Sequence, residues 1–450
     1  MSTAERRNRS GPSSPNAQRA RRSTTRPTAR GVVFLIIGVG CGILAYATTS
    51  PELLFAAGFL VLLPVVALII VAARPLRLTV SRTFTPPVVS AGSSSVVELE
   101  VRNVSQLPSP AATWTDRIPW MPFLVGPGQL PGMRAHARAK TTQRSRSGYT
   151  LRPPLRGIYD IGPLDVTYTD PFGLAVGKLT VGGKQKLYVT PVAVPFGESV
   201  SISVSGEGSA RLVQRMVTGN DDDLMTREYR IGDALRRVHW RASARHGQLM
   251  VRQEEQRTYP GARIILDTRE DGFGGPISSF AFADNGFTWF EWAVTMMASL
   301  GVHLHRSGFQ VQIVESARRQ IAPLGDANQN GGALEFLLSL SAIRLIDGGT
   351  HGADDADQPI ASLGPIFAIV ASPSRATLDW IIAQRRPYEP AVAFVIQTGS
   401  TATSDALSAN GWLCVPVTDR SDPARAWAGV SRLSGSVPLQ PGVQPTGERA

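Results

Sequence analysis

The chain has 450 residues, of which 43% are apolar and 18% are charged. This composition can bury a core in about two to three domains, and it excludes a chain that is disordered throughout. Most of the net charge of +11 lies in residues 1–30, which hold eight Arg and one Glu and leave +4 for the rest, so the sequence argues against a general nucleic-acid binder. The two cysteines, Cys41 and Cys414, exclude a disulfide framework and a structural zinc site.

The N-terminal 73 residues predict a basic tail followed by a membrane hairpin. Residues 1–30 have almost no large apolar side chain, which is typical of disorder. Residues 31–49 and 53–73 carry no charge and approach the ~20 residues that a helix needs to cross the hydrocarbon core. We therefore interpret residues 31–73 as a transmembrane hairpin. The arginine-rich flanks place both of its ends in the cytoplasm by the positive-inside rule.

Three alternatives to the hairpin stay open. The apolar stretches are also compatible with two buried helices of a soluble protein. Residues 32–44 could form the core of a signal peptide, with a small-residue cleavage site at 45–47, or Cys41 could carry a lipid anchor. If residues 32–44 were a signal peptide, the span from Leu53 would still return the chain across the membrane. We therefore expect the large C-terminal part to be cytoplasmic whether residues 32–44 form a membrane span or a signal peptide.

Residues 76–196 predict a small antiparallel β domain. Short alternating runs, such as residues 95–102, are broken by Pro and Gly clusters that mark turns. Residues 170–174, Asp-Pro-Phe-Gly-Leu, predict a turn followed by a strand. An immunoglobulin-like sandwich is the simplest architecture for such a domain.

Residues 262–433 predict a doubly wound α/β domain, because apolar runs alternate with amphipathic helices. The predicted strands cover residues 262–266, 310–314, 366–371, 391–396 and 412–415. The predicted helices cover residues 287–306, 333–346, 375–385, 403–409 and 424–433. Disorder is predicted for the loop 347–358 and the tail 434–450.

Two groups of side chains in this domain are expected to pack rather than to bind ligands. Phe287, Trp289, Phe290 and Trp292 lie at helical spacing in an apolar helix, which favours core packing. His303 and His305 lie at the end of the same predicted helix without nearby acids or cysteines. We interpret the two histidines as a helix-end pair rather than as metal ligands.

Residues 197–261 contain the densest charged run of the chain. Gly232-Asp233 and Gly247 predict a helix of about twelve residues between them, on which Asp233, Arg237, Arg241 and Arg245 share a face. The run has three interpretations: an ion-paired lock with Trp240 as a packing anchor, a surface for an anion or an acidic partner, or a catalytic site that uses Glu228, Asp233, His239 or Ser243. The candidate cluster comprises Arg227, Glu228, Tyr229, Gly232, Asp233, Arg236, Arg237, His239, Trp240, Arg241, Ser243 and Arg245.

The same run resembles the signature of a bacterial family, domain of unknown function fifty-eight (DUF58). The resemblance is carried by residues 227–229, 232–233, 236, 239–240 and 242–245, and by residues 156–159 and 170–174 ahead of them. Together with the paired apolar spans and the α/β region, it covers most of residues 31–433. It implies a von Willebrand factor A-like domain and genes that lie beside those of MoxR-type AAA ATPases and transglutaminase-like membrane proteins. The resemblance thus implies an adaptor for an ATPase in assembly or maintenance of the cell envelope.

The von Willebrand factor A resemblance directs attention to Asp267. Metal-binding members of that fold usually carry Asp-x-Ser-x-Ser after the first strand, whereas here the run is Asp267-Thr268-Arg269-Glu270-Asp271. The acid is kept but both hydroxyl positions differ, so Asp267 is expected to pair with Arg269 or to cap the following turn. No metal site is predicted, and Asp267 stays the one candidate ligand for a metal ion.

The sequence lacks three common catalytic and nucleotide-binding motifs. The chain has no phosphate-binding loop, since Gly182-Gly183-Lys184 lacks the required spacing, and it has no His-Glu-x-x-His or Gly-x-Ser-x-Gly motif. We therefore predict no cofactor and assign any use of ATP to a partner. The favoured hypothesis is a non-enzymatic adaptor at the bacterial cytoplasmic membrane. The alternative is an envelope-associated hydrolase or transferase that uses Glu228, Asp233 and His239.

Overall fold

A computed structural model describes most of the chain, which divides into two compact units, Met1–Thr190 and Pro191–Ala450. The described residues are 21–73, 76–121, 128–134, 144–197, 226–229, 238, 240–252, 260–273, 289–324, 332–347, 364–386, 388–397 and 400–434. The segments 1–20, 348–358 and 435–450, for which we predicted disorder, lie outside the described residues.

Residues 21–27 form a strand, β1 (Arg21–Pro27), where we predicted a disordered tail through residue 30. This prediction was wrong for residues 21–30. The strand pairs antiparallel with residues 175–180, with Thr24 opposite Lys178. Pairing at a sheet edge uses backbone N–H and C=O groups and needs no large apolar side chains, so the low hydropathy of this segment did not predict it.

Two apolar helices follow β1. They are α1 (Ala29–Thr48) and α2 (Pro51–Ala73), with 20 and 23 residues, and they pack against each other. At 1.5 Å per residue α1 is about 30 Å long, close to the thickness of a bilayer's hydrocarbon core. Both helices are long and apolar enough to cross a membrane, which is consistent with the predicted hairpin.

The rest of the first unit is a β domain built almost entirely from antiparallel pairs. Its strands are β2 (Leu78–Thr85), β3 (Val88–Ser90), β4 (Ser95–Asn103), β5 (Ala112–Asp116), β6 (Gly128–Leu130), β7 (Arg144–Leu151), β8 (Gly157–Ile161), β9 (Leu164–Thr169), β10 (Ala175–Val181) and β11 (Gln185–Thr190). They form three sheets with the orders β1-β10-β9-β5-β6, β2-β4-β7 and β3-β11-β8, and only β3 and β11 run parallel. Side chains of β4 alternate between buried and more exposed, as its sequence pattern predicts.

The two apolar helices and the β domain share one apolar core. Ala67 and Val71 of α2 lie in the same buried cluster as Leu174, Ala175 and Leu179. The end of the hairpin is therefore part of the folded first unit rather than a free tether.

A buried ion pair lies inside the β domain, between β2 and β5. Arg82 donates from Nε and Nη2 to the two carboxylate oxygens of Asp116, both at 2.8 Å, and the two side chains are 2% and 0% exposed. The Tyr149 hydroxyl donates to Asp116 Oδ2 at 2.7 Å. Burial and the neighbouring Asp116 carboxylate raise the pKa of Tyr149, so its hydroxyl stays a donor. The cluster joins β2 and β7 of one sheet to β5 of another.

The second unit begins before the predicted boundary at residue 196. Phe196 stacks on Trp427 with ring centroids 5.1 Å apart, inside the main core of this unit. We assigned Phe196 to the β domain from the sequence, but its packing places it in the second unit.

The first described elements after Phe196 are a small hairpin and a short helix. Strands β12 (Thr226–Glu228) and β13 (Met250–Arg252) pair antiparallel, and α3 (Trp240–His246) precedes β13. These elements hold most of the candidate cluster that the structure describes.

The remainder of the second unit is a parallel sheet with helices on both faces. Its strands are β14 (Gly261–Leu266), β15 (Gln310–Glu315), β16 (Ile366–Val370), β17 (Ala391–Ile396) and β18 (Leu413–Val417). The helices are α4 (Trp289–Arg306), α5 (Gly332–Ala342), α6 (Arg375–Ala383), α7 (Ala402–Ala409) and α8 (Pro423–Ser434). The order β15-β14-β16-β17-β18 and the parallel pairing confirm the predicted α/β architecture.

Successive residues of the sheet face two different cores. Ile264 and Leu266 of β14 pack with residues of α4, α5 and α8, whereas Ile265 packs on the other face with Ile381 of α6 and Leu407 of α7. Phe290 and Trp292 are buried in the first of these cores, as their helical spacing predicts, while Phe287 lies outside the described residues.

Candidate functional site

The charged signature segment folds as a hairpin that carries a helix. Arg227 of β12 lies opposite Val251 of β13, and the backbone N–H of Tyr229 donates to the carbonyl oxygen of Leu249 at 2.8 Å. Val238 forms an isolated antiparallel bridge with Val251, so it is also extended. The hairpin thus brings Glu228 and Tyr229 close to the chain that follows α3.

The helix is shorter than predicted. We expected about twelve residues between Asp233 and Gly247, but α3 begins at Trp240 because Val238 is paired in the hairpin instead. Gly247 ends the helix as predicted, with φ of +72° and its N–H donating to the carbonyl oxygen of Ser243 at 2.9 Å. Five members of the predicted cluster lie outside the described residues, namely Gly232, Asp233, Arg236, Arg237 and His239.

The described side chains of α3 form an exposed aromatic and cationic surface, which consists of Trp240, Arg241 and Arg245. Trp240 is 69% exposed, and no residue of α3 is buried. Arg241 and Arg245 are exposed and one helical turn apart, and neither guanidinium has a carboxylate partner among the residues that the structure describes. The exposure of Trp240 is the opposite of what a packing anchor would show.

Two other members of the cluster make hydrogen bonds that shape the hairpin. The Ser243 hydroxyl oxygen accepts from the backbone N–H of Met250 at 2.9 Å and so ties α3 to β13. Glu228 is exposed, and its Oε1 accepts from Gln248 Nε2 at 2.5 Å. The Arg227 side chain is outside the described part of the structure. These contacts give Ser243 a structural role that does not depend on catalysis.

A second cluster surrounds Asp267 at the carboxyl end of β14. In the sheet, β14 has β15 as its neighbour on one side and β16 on the other. At such a position the connections between strands run over opposite faces of the sheet. Asp267 is fully buried, and its Oδ1 accepts from Ser316 Oγ at 2.5 Å and from the backbone N–H of Arg269 at 3.2 Å. Asp267 therefore caps the turn that follows it, which is one of the two roles expected from the sequence.

The other carboxylate oxygen of Asp267 is enclosed. Oδ2 is buried and has no hydrogen-bond partner in the described structure. Gly272 lies directly against it, because a β-carbon at that position would overlap Oδ2. Burial raises the pKa of Asp267 to about 6, with repulsion by Asp271 adding to the rise, while the bonds from Ser316 and the Arg269 backbone oppose it.

These residues do not fit a magnesium site of the von Willebrand factor A type. One oxygen of Asp267 is occupied by two donors and the other is sealed by Gly272. Arg269 is also buried, and its positive charge acts on the Asp267 carboxylate. Among the described residues, no group of three or more His, Cys, Asp or Glu side chains could hold a metal ion. The arrangement is a closed, hydrogen-bonded corner of the sheet.

Sequence analysis did not identify Ser316 or Gly272 as neighbours of Asp267. Ser316 directly follows β15, and Asp267 directly follows β14, so parallel pairing of the two strands brings them together. The predicted strands 262–266 and 310–314 therefore contained a signal that could have placed Ser316 near Asp267. Gly272 carries no comparable signal, since its role depends on the path of the turn.

His303 packs among aromatic rings in the second unit. Its ring centroid lies 5.4 Å from that of Phe196 and 5.2 Å from that of Trp427. Burial lowers its pKa, which favours the neutral imidazole. This position agrees with the interpretation of His303 as a packed residue at the end of a helix.

The comparisons with known proteins support one family for part of the chain. The family model described as "Protein of unknown function DUF58" matches residues 225–320, a segment that includes both α3 and Asp267. The match supports the DUF58 resemblance found in the signature run. A search of curated proteins gave no match.

The solved structures that resemble the chain include three distant likenesses. The crystal structure of the CARDB domain of the PF1109 protein from Pyrococcus furiosus, in complex with di-metal ions, is 15% identical, with 25% of this chain and 88% of that chain covered and a TM-score of 0.18. The solution structure of the same domain is 14% identical over 25% and 93% of the two chains, with a TM-score of 0.18. Cwp6 from Clostridium difficile is 10% identical over 78% and 55%, with a TM-score of 0.13. None of these likenesses informs the function of the chain.

Proposed function

We propose that this protein is a membrane-anchored adaptor that docks an acidic partner protein through the exposed surface of Trp240, Arg241 and Arg245. The observation that carries the proposal is this surface. Trp and Arg are the residue types that most often dominate the binding energy of protein interfaces. Here they lie on one short helix, and the tryptophan is 69% exposed.

The charge of this surface favours an acidic partner. Guanidinium groups suit carboxylates because they can donate two parallel hydrogen bonds. Arg241 and Arg245 are exposed, and within the described residues no carboxylate neutralises either one. Attraction of this kind makes association sensitive to salt.

The partner that we propose is a MoxR-type AAA ATPase, and the process is assembly or maintenance of the cell envelope. The support for this partner and this process is the resemblance to DUF58, a family whose members are typically encoded beside such ATPases. A transglutaminase-like membrane protein is a second partner on the same grounds. We also propose a von Willebrand factor A-like fold for the α/β domain, supported by its parallel sheet and by the acid after the first strand.

The proposed location is the bacterial cytoplasmic membrane, with α1 and α2 as the two spans and both soluble parts in the cytoplasm. The support is the length and apolar character of the two helices, together with the arginines on the flanks of the hairpin.

A binding measurement with the purified ATPase tests the docking proposal. The full chain in mild detergent is immobilised, and a purified MoxR-type ATPase from the same organism is titrated with and without ATP at low and high salt. We expect salt-sensitive binding that is lost in an Arg241→Glu/Arg245→Glu variant and weakened in Trp240→Ala. The matched control is Arg375→Glu, which reverses another exposed arginine on a helix of the same unit.

The outcomes separate this proposal from its alternatives. Binding that survives the double charge reversal, or that falls equally in Arg375→Glu, contradicts the docking surface. No binding of the ATPase under either nucleotide condition contradicts the adaptor proposal. That result favours the hydrolase or transferase hypothesis, for which Asp233→Asn and His239→Ala should abolish function in folded protein.

A further inference from the structure

The Asp-Pro-Phe-Gly-Leu segment forms a rigid turn at residues 170–174, which the proposed docking surface does not use. Asp170 Oδ1 accepts from the N–H of Ala175 at 2.6 Å, and Oδ2 accepts from the N–H of Phe172 at 2.8 Å. Gly173 has φ of +70°, and its N–H donates to the carbonyl oxygen of Asp170 at 3.1 Å. These bonds fix the backbone on both sides of Phe172.

Phe172 at the tip of this turn is 65% exposed, the largest value for a large apolar side chain among the described residues of the β domain. A single exposed aromatic residue needs no explanation by itself. What distinguishes Phe172 is that its turn is bonded to the start of an apolar helix.

Three contacts fasten the 170–174 turn to the beginning of α1. Thr28 donates from its backbone N–H to the carbonyl oxygen of Leu174 at 2.9 Å, and from Oγ1 to the carbonyl oxygen of Gly173 at 2.6 Å. Gly31 lies so close that a β-carbon there would overlap the carbonyl oxygen of Leu174. The turn therefore lies level with the first turn of α1.

That level is where the hydrocarbon core of a bilayer would begin. The charge-free stretch starts at Gly31, and the 20 residues of α1 are about 30 Å long, so its N-terminal end must lie at the membrane surface. The other helix agrees, because Ala67 and Val71 near the end of α2 pack in the same core as Leu174.

Exposed arginines border the same end of the hairpin. Arg26 and Arg30 flank the start of α1, and Arg77 follows α2. Arginines at this level interact with anionic lipid headgroups, and an aromatic ring beside them suits the boundary between headgroups and acyl chains.

We propose that Phe172 inserts into the cytoplasmic surface of the lipid bilayer, so that the 170–174 turn is a second membrane contact beside the hairpin. This inference rests on the proposed membrane anchoring. Lipid then covers the exposed ring of Phe172, and the turn fixes the β domain against the membrane surface.

Site-specific labelling of the full chain tests this contact. The chain has two cysteines, so a Cys41→Ser/Cys414→Ser background allows one environment-sensitive fluorophore to be attached at a chosen site. The label is placed at Phe172→Cys, at Val39→Cys near the middle of α1, or at Ile158→Cys, which is 41% exposed on β8. Each labelled protein is reconstituted in vesicles of phosphatidylethanolamine and phosphatidylglycerol that carry spin-labelled lipids.

We expect a blue-shifted emission from the label at residue 172 and loss of its fluorescence with lipids that are spin-labelled near the headgroup. Deeply spin-labelled lipids should quench it less. The label at residue 39 should respond most strongly to the deep spin label, and the label at residue 158 should stay aqueous. Circular dichroism and thermal melting check that each labelled chain is folded.

Two outcomes overturn the inference while the anchoring stands. With residue 39 quenched by deep spin labels, a label at residue 172 that behaves like the one at residue 158 shows that the turn does not touch lipid. A blue shift at residue 172 without quenching shows that protein, such as a second copy of the chain, covers the ring. If residue 39 is not quenched either, the proposed membrane anchoring itself fails.

Discussion

Asp267 carries an ionisable carboxyl group in a position that favours its neutral form. It is fully buried, and one of its oxygens has no hydrogen-bond partner in the described structure. Its pKa rises from 3.8 to about 6 in the folded chain. Ionisation of Asp267 therefore opposes folding. The penalty is absent below the unfolded pKa, grows as the pH rises through the folded pKa, and is complete above it.

We expect Asp267→Asn to gain thermal stability relative to the wild-type chain as the pH rises from about 4 to about 7. The asparagine can still accept from Ser316 and Arg269 but does not ionise. A shift from 3.8 to about 6 corresponds to at most about 3 kcal/mol. Melting temperatures of the two chains in detergent, measured across this pH range, check the prediction. Exposed Asp379→Asn is the control, and a difference that does not change with pH contradicts the argument.

Gly272 is the residue that closes the Asp267 corner, and Gly272→Ala should destabilise the second unit. The added β-carbon would overlap Asp267 Oδ2, which is buried and cannot move aside freely. Overpacking of this kind costs about 1–3 kcal/mol. Gly429→Ala is the control, since its β-carbon would make only an ordinary contact at 3.5 Å with Val415. Equal melting temperatures for the two variants would show that the turn yields without cost.

At the scale of elements, the β domain depends on the buried contact between β2 and β5. Asp116→Ala leaves the Arg82 guanidinium buried without its carboxylate, so we expect a loss of about 3–5 kcal/mol. Tyr149→Phe removes a single hydrogen bond to the same carboxylate and should cost about 1–3 kcal/mol. Chemical denaturation of the full chain in detergent, followed by tyrosine and tryptophan signals, measures both losses.

The matched control for Asp116→Ala is Asp165→Ala. Asp165 also pairs with an arginine, Arg117, at 2.9 Å, but the two side chains are 60% and 37% exposed, arginine first. Exposed pairs contribute about 0–1 kcal/mol, and the hydrogen bond that Thr180 donates to Asp165 at 2.8 Å adds about 1 kcal/mol, so this variant should lose less stability than Asp116→Ala. If both substitutions had the same small effect, the buried pair would not support the domain.

The same elements show what a sequence pattern can and cannot predict. The strands of the parallel sheet and the helices around it were predicted to within a few residues. Apolar runs such as residues 391–396 are typical of strands that are buried on both faces in an α/β domain. β1 was missed because its edge pairing uses backbone groups. The start of α3 was missed because Val238 pairs with Val251, a contact that the charge spacing does not reveal.

At the scale of the whole molecule, the candidate sites were less predictable than the fold. Sequence spacing placed Arg241 and Arg245 on one face of a helix, and the structure has both exposed on α3. Spacing did not reveal that Trp240 is exposed as well. The helical end of the first unit was visible in the sequence only as two apolar stretches. Its attachment to the 170–174 turn depends on contacts between residues that are 145 positions apart, such as Thr28 and Gly173.

Because of this attachment, we expect Gly31→Val to separate α1 from the β domain. The valine side chain would overlap the carbonyl oxygen of Leu174, so the bonds from Thr28 to the turn must break or lengthen. Gly40→Val is the control, because on the same helix a β-carbon at Gly40 meets nothing within 4 Å. In detergent, we expect Gly31→Val to speed amide hydrogen exchange at residues 172–175 and to lower the melting temperature, whereas Gly40→Val leaves both unchanged. Since the two substitutions have the same effect on helix propensity, unchanged exchange in Gly31→Val would mean that the hairpin and the β domain fold independently.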